Sequence, residues 1–480
     1  MFVFQENELE RILDIIITNM TPQRTPSQKP VPANILFLSA RYAFYHASAE
    51  LLETLLISAM NKINDVVEKH QWDMTVLAFW ISNATLLLHY LKKDAGLVEA
   101  STEFQLQLAE LINEIFILII RDAERRMDKV LDQSMLEHEA MPGFEDVQFQ
   151  HEWKIFRTKT KVKPPEPIEK RYRPPSPKRR AQPSPRNITS LLSSTLFVLD
   201  LYDIHSVIVA QILAQLIYWL SAELFNRIMS NRKYLARTKA MQIRMNISFL
   251  EDWARSNNRQ PEHYENGSMT STGENTVDSA KRHFEPVVQL LQWLQCFTSL
   301  GDDQESLVGT LQQLPRLSPQ QLLHAAKYYR PEVGEKGLPK SAAKYIVQLQ
   351  KTAVERKAAR SKSPNVQQKS TDSAPSTPVK PTTQAAATPS PAPSRLLEDD
   401  AEDAPDDLLF DPSYMLPFTL PTSTDMLITY GAGFGGVNKE QERKYIPTVP
   451  PEFLAKLDLG GNKTTETYYS NSQWEEANYS

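Results

Sequence analysis

The sequence predicts an all-α fold of many helices arranged in two blocks, with disordered insert and C-terminal segments. Three observations carry this expectation. Apolar residues recur at intervals of three and four through most apolar stretches, the pattern of helices that bury one face. No stretch alternates apolar and polar residues over the length of a strand. The helical stretches also gather into two dense blocks, and 480 residues with 41% hydrophobic side chains can support a sizeable core.

Residues 1–20 begin with Leu9, Ile12, Leu13 and Ile16 on one helical face, an amphipathic helix without the basic flank or cleavage site of a secretory signal. A proline-bearing break over 21–32 follows. The first helical part, 31–156, contains a helical stretch from 33 to 70 through Leu51, Leu52, Leu55, Leu56 and Met60, and further helices over 74–93 and 103–132. Residues 157–186 differ in kind, with eleven Lys or Arg, two Glu and eight Pro, and cannot bury a core. The second helical part, 187–350, shows helical patterns over 187–257, 277–300 and, running on past its end, 318–359. Next comes a low-complexity and acidic linker, 351–411, in which seven Asp or Glu crowd into residues 398–407. A closing segment, 412–430, carries Met415, Leu416, Phe418, Leu420, Met426, Leu427 and Ile428, enough apolar surface to dock on the helical body. Residues 431–480 read as a polar tail.

Composition narrows the function classes. Basic and acidic residues nearly balance, 53 against 58, so no bulk field points to nucleic acid or an anionic membrane. A single cysteine, Cys296, excludes an intrachain disulfide and a cysteine-rich zinc site, and its neighbours Trp293 and Phe297 make it a buried structural thiol. Uncharged stretches over 74–91 and 204–222 approach membrane length. Ser82, Asn83, Thr85 and His89 in the first, and His205, Gln211, Gln215 and Ser221 in the second, make buried core helices the better reading. Triplets such as Asn83-Ala84-Thr85 match a glycosylation acceptor by chance.

Several longer strings resemble a known family. ILFLSARY at 35–42, FWISNATLLLHYLKK at 79–93, ILAQLIYWLSAELFNRIM at 212–229, AMQIRMNISFLEDWAR at 240–255, LSPQQLLHAAKYYRP at 317–331 and YMLPFTLPTSTDML at 414–427 resemble, in order, segments of the dilute (DIL) domain. That domain forms the cargo-binding globular tail of class V myosins and occurs in fungal dilute-domain-containing proteins, which this chain is similar to in architecture. The resemblance covers roughly 31–349 and the closing piece. It implies an elongated multi-helix body of two packed helical-bundle subdomains and, as partners, cargo adaptors and small GTPases. Neither a phosphate-binding Gly-x-x-x-x-Gly-Lys-Ser/Thr loop nor a long heptad repeat is present, which excludes ATP-driven transport by this polypeptide. The chain is then a short member of the family or incomplete at its start.

No catalytic, cofactor-binding or metal-binding constellation is expected. The histidines show no His-x-x-x-His spacing, and nothing pairs a nucleophile with a base. Gly431-Ala432-Gly433-Phe434-Gly435-Gly436 fits a dinucleotide fingerprint formally, but no helix and further strands follow it. Arg244, Glu251 and Trp253 mark the family-like helix, where Ile243, Ile247, Leu250 and Ala254 at helical spacing make their role structural. Ser176-Pro177 and Thr377-Pro378 are candidate phosphorylation sites. Lys178, Arg179 and Arg180 beside Ser176 are candidate electrostatic contacts for an acidic partner or, weakly, a membrane surface. Nucleic acid and small-molecule substrates are not expected.

The sequence therefore points to a non-enzymatic adaptor, cytoplasmic and associated with vesicles or Golgi membranes, acting in vesicle trafficking or cytoskeletal linkage. The alternative is a scaffold or regulatory protein acting through its charged, phosphorylatable segments.

Overall fold

The computed structural model describes residues 2–139, 147–150, 182–265, 268–270, 273–300, 303–361, 408–431 and 443–458. Its first part opens with α1 (Leu9–Leu13), widened over Asp14–Thr18, which buries Ile12, Leu13, Ile16 and Ile17. α2 (Val31–His46) and α3 (Ala49–Lys69) follow. The stretch expected to be helical from 33 to 70 forms two helices because Ser48 caps α3, its hydroxyl accepting the Leu51 N–H at 3.1 Å. α4 (Met74–Lys93) starts at the Asp73 carboxylate, which accepts the Thr75 and Val76 N–H groups. After α5 (Leu97–Ala100), the long α6 (Thr102–Leu131) packs along α4 and α3.

The second part is α7 (Pro185–Leu201), α8 (Ser206–Ser230), α9 (Arg237–Ser256), α10 (Thr276–Cys296), α11 (Gln304–Gln312), α12 (Pro319–Tyr328) and α13 (Lys340–Ser361). Three helices occupy the span 187–257 because the chain turns sharply at Asp203, whose φ of 52° lies in the left-handed region, and again at 231–236. Likewise 318–359 divides into α12 and α13, since Pro331, Gly334 with φ +94° and Pro339 cannot continue a helix. Between α9 and α10 a short antiparallel hairpin, β1 (His263–Glu265) with β2 (Ser268–Thr270), pairs His263 with Thr270. At three residues each, these strands are too short to show as alternation in sequence.

α4 and α8 are long and apolar enough to cross a membrane, yet both lie mostly buried inside this fold. α6 joins the two parts by packing on α4, α7 and α8. An ion cluster fixes that crossing: Arg227 of α8 reaches Asp132 at 2.7 Å, Glu223 at 2.9 Å and also Asp128. Farther along, the fully buried Asn246 of α9 donates to the Met135 and His138 carbonyls, each at 3.0 Å. The apolar side chains of both parts form one continuous core.

Closing elements complete the enclosure. Residues 408–421 run as an extended strap along α8, and α14 (Ser423–Tyr430) buries Met426 and Tyr430. Within the stretch read as a polar tail, α15 (Pro451–Asp458) sets Phe453 against Phe2 with ring centroids 5.5 Å apart, and the Tyr445 carbonyl accepts the Tyr90 hydroxyl at 2.9 Å. The apolar Tyr445, Val449 and Phe453 offset the polar composition around them.

Asn83, buried on α4, accepts the Ala33 N–H at 3.2 Å and donates to the Lys29 and Phe79 carbonyls at 3.0 and 2.9 Å. Its side chain anchors the start of α2 and is unavailable for glycosylation in the fold. Asn83→Ala is expected to cost about 2 kcal/mol by stranding these groups, read as a lowered denaturant midpoint with unchanged slope.

Candidate partner-docking groove

Most of α8 is apolar, and its amides stand on one stripe. Gln211, Gln215, Tyr218 and Asn226 fall within about 80° of one another around the helix, at roughly 100° per residue. Gln215 is only 1% exposed, so its amide needs partners inside the fold. The strap supplies them, running antiparallel to α8. Asn226 accepts the Phe410 N–H at 2.9 Å and donates to the Phe410 carbonyl at 2.8 Å. Gln215 donates to the Tyr414 carbonyl at 2.9 Å and accepts the Leu416 N–H at 2.8 Å. Gln211 accepts the Thr419 N–H and donates to the Thr419 carbonyl, both at 2.8 Å. The Tyr218 hydroxyl donates to the Asp411 carbonyl at 2.8 Å.

Rings complete the contact. Phe410 meets Phe225 edge-on at 4.7 Å, Tyr414 meets Tyr218 at 5.9 Å, and Phe418 lies 4.3 Å from Phe116 of α6. Between the strap and α6 an open cleft of about 490 Å³ remains, lined by Ala109, Glu110, Asn113, Phe116 and Ile117 on one side and Met415, Leu416, Phe418 and Leu420 on the other. Of these only Glu110 is titratable. An apolar cleft with one rim carboxylate suits the docking of a protein side chain and offers no convergent acid, base or nucleophile.

Elsewhere, perturbed groups report burial. Burial pushes Glu124 of α6 up to about 7, with Arg121 opposing and Glu223 reinforcing the shift. His89 is depressed to about 4 by burial, then by Lys93 and His205, and His283 to about 4 by burial and Arg282. His89 and Tyr430 rings lie 5.2 Å apart where α14 meets α4. The Tyr430 hydroxyl has no hydrogen-bond partner among the described residues, and burial raises its pKa. Cys296 is half-buried, its thiol also raised by burial. Among the described residues no group of three His, Cys, Asp or Glu is placed to hold a metal ion.

The family-like helix is α9. Arg244 pairs with Glu251 at 3.2 Å and the Trp253 indole donates to the Ser193 hydroxyl of α7 at 2.8 Å, while Met245 and Phe249 are exposed. Ser176, Lys178, Arg179, Arg180 and Thr377 lie outside the described residues. Sequence reasoning missed Asn226 and Glu124. The stripe of amides in an apolar helix was the available signal for the first; Glu124 resembles any surface carboxylate.

This geometry defines a class: an all-helical body with the fold of the myosin V cargo binding domains. The chain superposes on a myosin V cargo binding domain with a TM-score of 0.52 at 16% identity, covering 75% of this chain and 85% of that one. It matches Myo2-GTD, solved in complex with Mmr1, with a TM-score of 0.54 at 13% identity, covering 95% and 98%. Residues 211–333 match the DIL domain, and the chain's homologues are fungal dilute domain-containing proteins and class V myosins. A dilute domain-containing protein of Schizosaccharomyces pombe is 33% identical over 352 residues, 72% of this chain and 58% of that protein. Human unconventional myosin-Va is 24% identical over 350 residues, 69% of this chain and 17% of the myosin. The chain thus spans little more than half of the S. pombe relative's length.

Because Glu124 keeps in the folded state a proton that the unfolded chain releases, stability should fall as pH rises from about 4.5 to about 7. Glu124→Gln is expected to remove this fall, gaining on the order of 1–2 kcal/mol at pH 8 after allowance for solvent screening and little at pH 4.5. Urea melts at the two pH values check it.

Proposed function

We propose that this chain is a non-enzymatic adaptor that recognises protein partners, cargo proteins or small GTPases, in cytoplasmic vesicle trafficking or cytoskeletal linkage. The open apolar cleft between α6 and the strap carries this reading, since it presents docking surface without reactive groups. The likeness to a cargo binding domain and to tail structures solved with Smy1, Inp2 and Mmr1 supports it. Protein partners of this chain would meet α6 and the strap together.

A second reading places binding in the charged segments, where a basic stretch at 157–186 and an acidic run at 398–407 have opposite sign. Weak membrane contact through the basic stretch belongs to the same reading. The two separate by experiment. Asn113 is exposed on the cleft, so Asn113→Arg extends a charged side chain over it without disturbing the core. The adaptor reading expects that variant to lose the proteins the unaltered chain retains from cell extract, by quantitative mass spectrometry. It also expects retention when 157–181 and 362–407 are replaced by Gly/Ser of equal length, bounds that spare α7, α13 and the strap. The opposite pattern would assign recognition to the charged segments.

A further inference from the structure

We infer that the amide stripe of α8 is a peptide-reading groove whose resident, the strap at 408–420, is exchangeable for a proline-punctuated, apolar, extended peptide of a partner protein. This rests on the adaptor reading and names the partner's chemistry. Three observations carry it.

First, the polar contacts address backbone. Asn226 and Gln211 each bind both the N–H and the carbonyl of a single residue, and Gln215 bridges Tyr414 and Leu416. Every peptide carries those groups, so this part of the recognition does not depend on sequence. Second, the strap shows what the groove selects. The stripe uses the N–H groups of Phe410, Leu416 and Thr419, whereas prolines stand at 412, 417 and 421, where no N–H is used. Proline there keeps the segment extended and lowers its ordering cost. Aromatic anchors occupy the Phe410 and Phe418 positions against Phe225 and Phe116. Asp411 is the only charged residue from 408 to 420, so an occupant should carry little charge.

Third, the strap is held less deeply than its neighbours. No residue from 408 to 420 is fully buried, while Met426 and Tyr430 of α14 are 0% and 3% exposed. α14 can therefore keep the chain end docked while the strap opens, as expected of a locally weak segment beside a strong one. The cleft against α6 lets an incoming side chain engage before the strap has left. Tethering gives the strap an effective concentration on the order of millimolar, so a competitor must be strong or supplied in excess.

The test uses the full chain and a synthetic peptide of its own residues 408–421. At millimolar peptide, amide exchange at Phe410, Leu416 and Thr419 of the chain should accelerate by roughly tenfold while α14 stays protected, and a scrambled peptide should do nothing. Unchanged strap exchange, or equal acceleration by the scrambled peptide, overturns the inference. Phe418→Asp, which loosens the strap, should tighten binding of labelled peptide by roughly tenfold, and adding Gln211→Ala should abolish the gain. Equal affinity in all three chains overturns it independently of folding effects on exchange. Dimers formed by the chain alone, with strap exchange rising with its concentration, would assign the groove to a second copy and overturn the partner assignment. If Asn113→Arg loses partners but the peptide displaces nothing, the adaptor reading stands and this inference falls.

Discussion

The whole arrangement follows from two helices that have almost no polar face. α4 and α8 are apolar on nearly every side, so each must be surrounded, and each carries a few polar side chains that need partners once water is excluded. The surrounding helices enclose the apolar faces. Specific backbone groups satisfy the polar ones: Asn83 holds the start of α2, Ser221 donates to the His283 carbonyl of α10, and the amides of α8 hold the strap. Enclosure and polar satisfaction are thus one requirement, met by the same neighbours. The strap's position follows from it, because without that segment the nearly inaccessible Gln215 would face an apolar cleft.

The same constraint explains how the two parts become one body. α6 shares its length between α4 and α8, and its far end bears the carboxylates Asp128 and Asp132 that meet Arg227. Such a partly exposed ion cluster adds modest stability but fixes register, since two carboxylates from the α6 end around a guanidinium already oriented by Glu223 of its own helix admit few alternative crossings. At the other end, Asp203 accepts both Lys29 at 2.8 Å and Lys444 at 3.4 Å, tying the turn between α7 and α8 to the loop before α2 and to the chain's late segment. Tyr90 makes a parallel connection, its single hydroxyl proton shared between Asn34 Oδ1 at 3.0 Å and the Tyr445 carbonyl at 2.9 Å.

Much of this was legible in the sequence, and what was not has physical reasons. Periodicity located the helices because burial of one face imposes it; the α4 and α8 stretches were recognisable as core helices from polar residues of which Asn83, Thr85, Gln211, Gln215 and Ser221 find hydrogen-bond partners in the fold. Breaks were harder. Ser48 looks like any polar residue in a helix until its φ of −140° shows it outside one, and Asp203 adopts a left-handed turn that composition does not announce. The strap's apolar residues announced docking, but its partners on α8 lie some 200 positions earlier, a pairing that only the folded chain makes. Tyr445 and Phe453 were hidden by polar neighbours. Glu124 owes its raised pKa first to burial and then to Glu223, which lies about a hundred positions away, so nothing in its sequence context distinguishes it.

A groove that grips backbone has a consequence for divergence. When amides such as Asn226 and Gln211 bind the N–H and carbonyl of an occupant, substitutions in that occupant leave those bonds intact, and selectivity falls to a few ring contacts, here against Phe225 and Phe116. Each ring contact is worth on the order of 1 kcal/mol beyond its buried area, so occupants can drift in sequence while retaining much of their affinity. The helices that build the groove are constrained differently, because the buried Gln215 amide of α8 would be stranded in an apolar wall if it lost its partner. A body of this design can keep its fold at low sequence identity while the peptides it accepts change, as long as the stripe of amides remains and something extended lies along it.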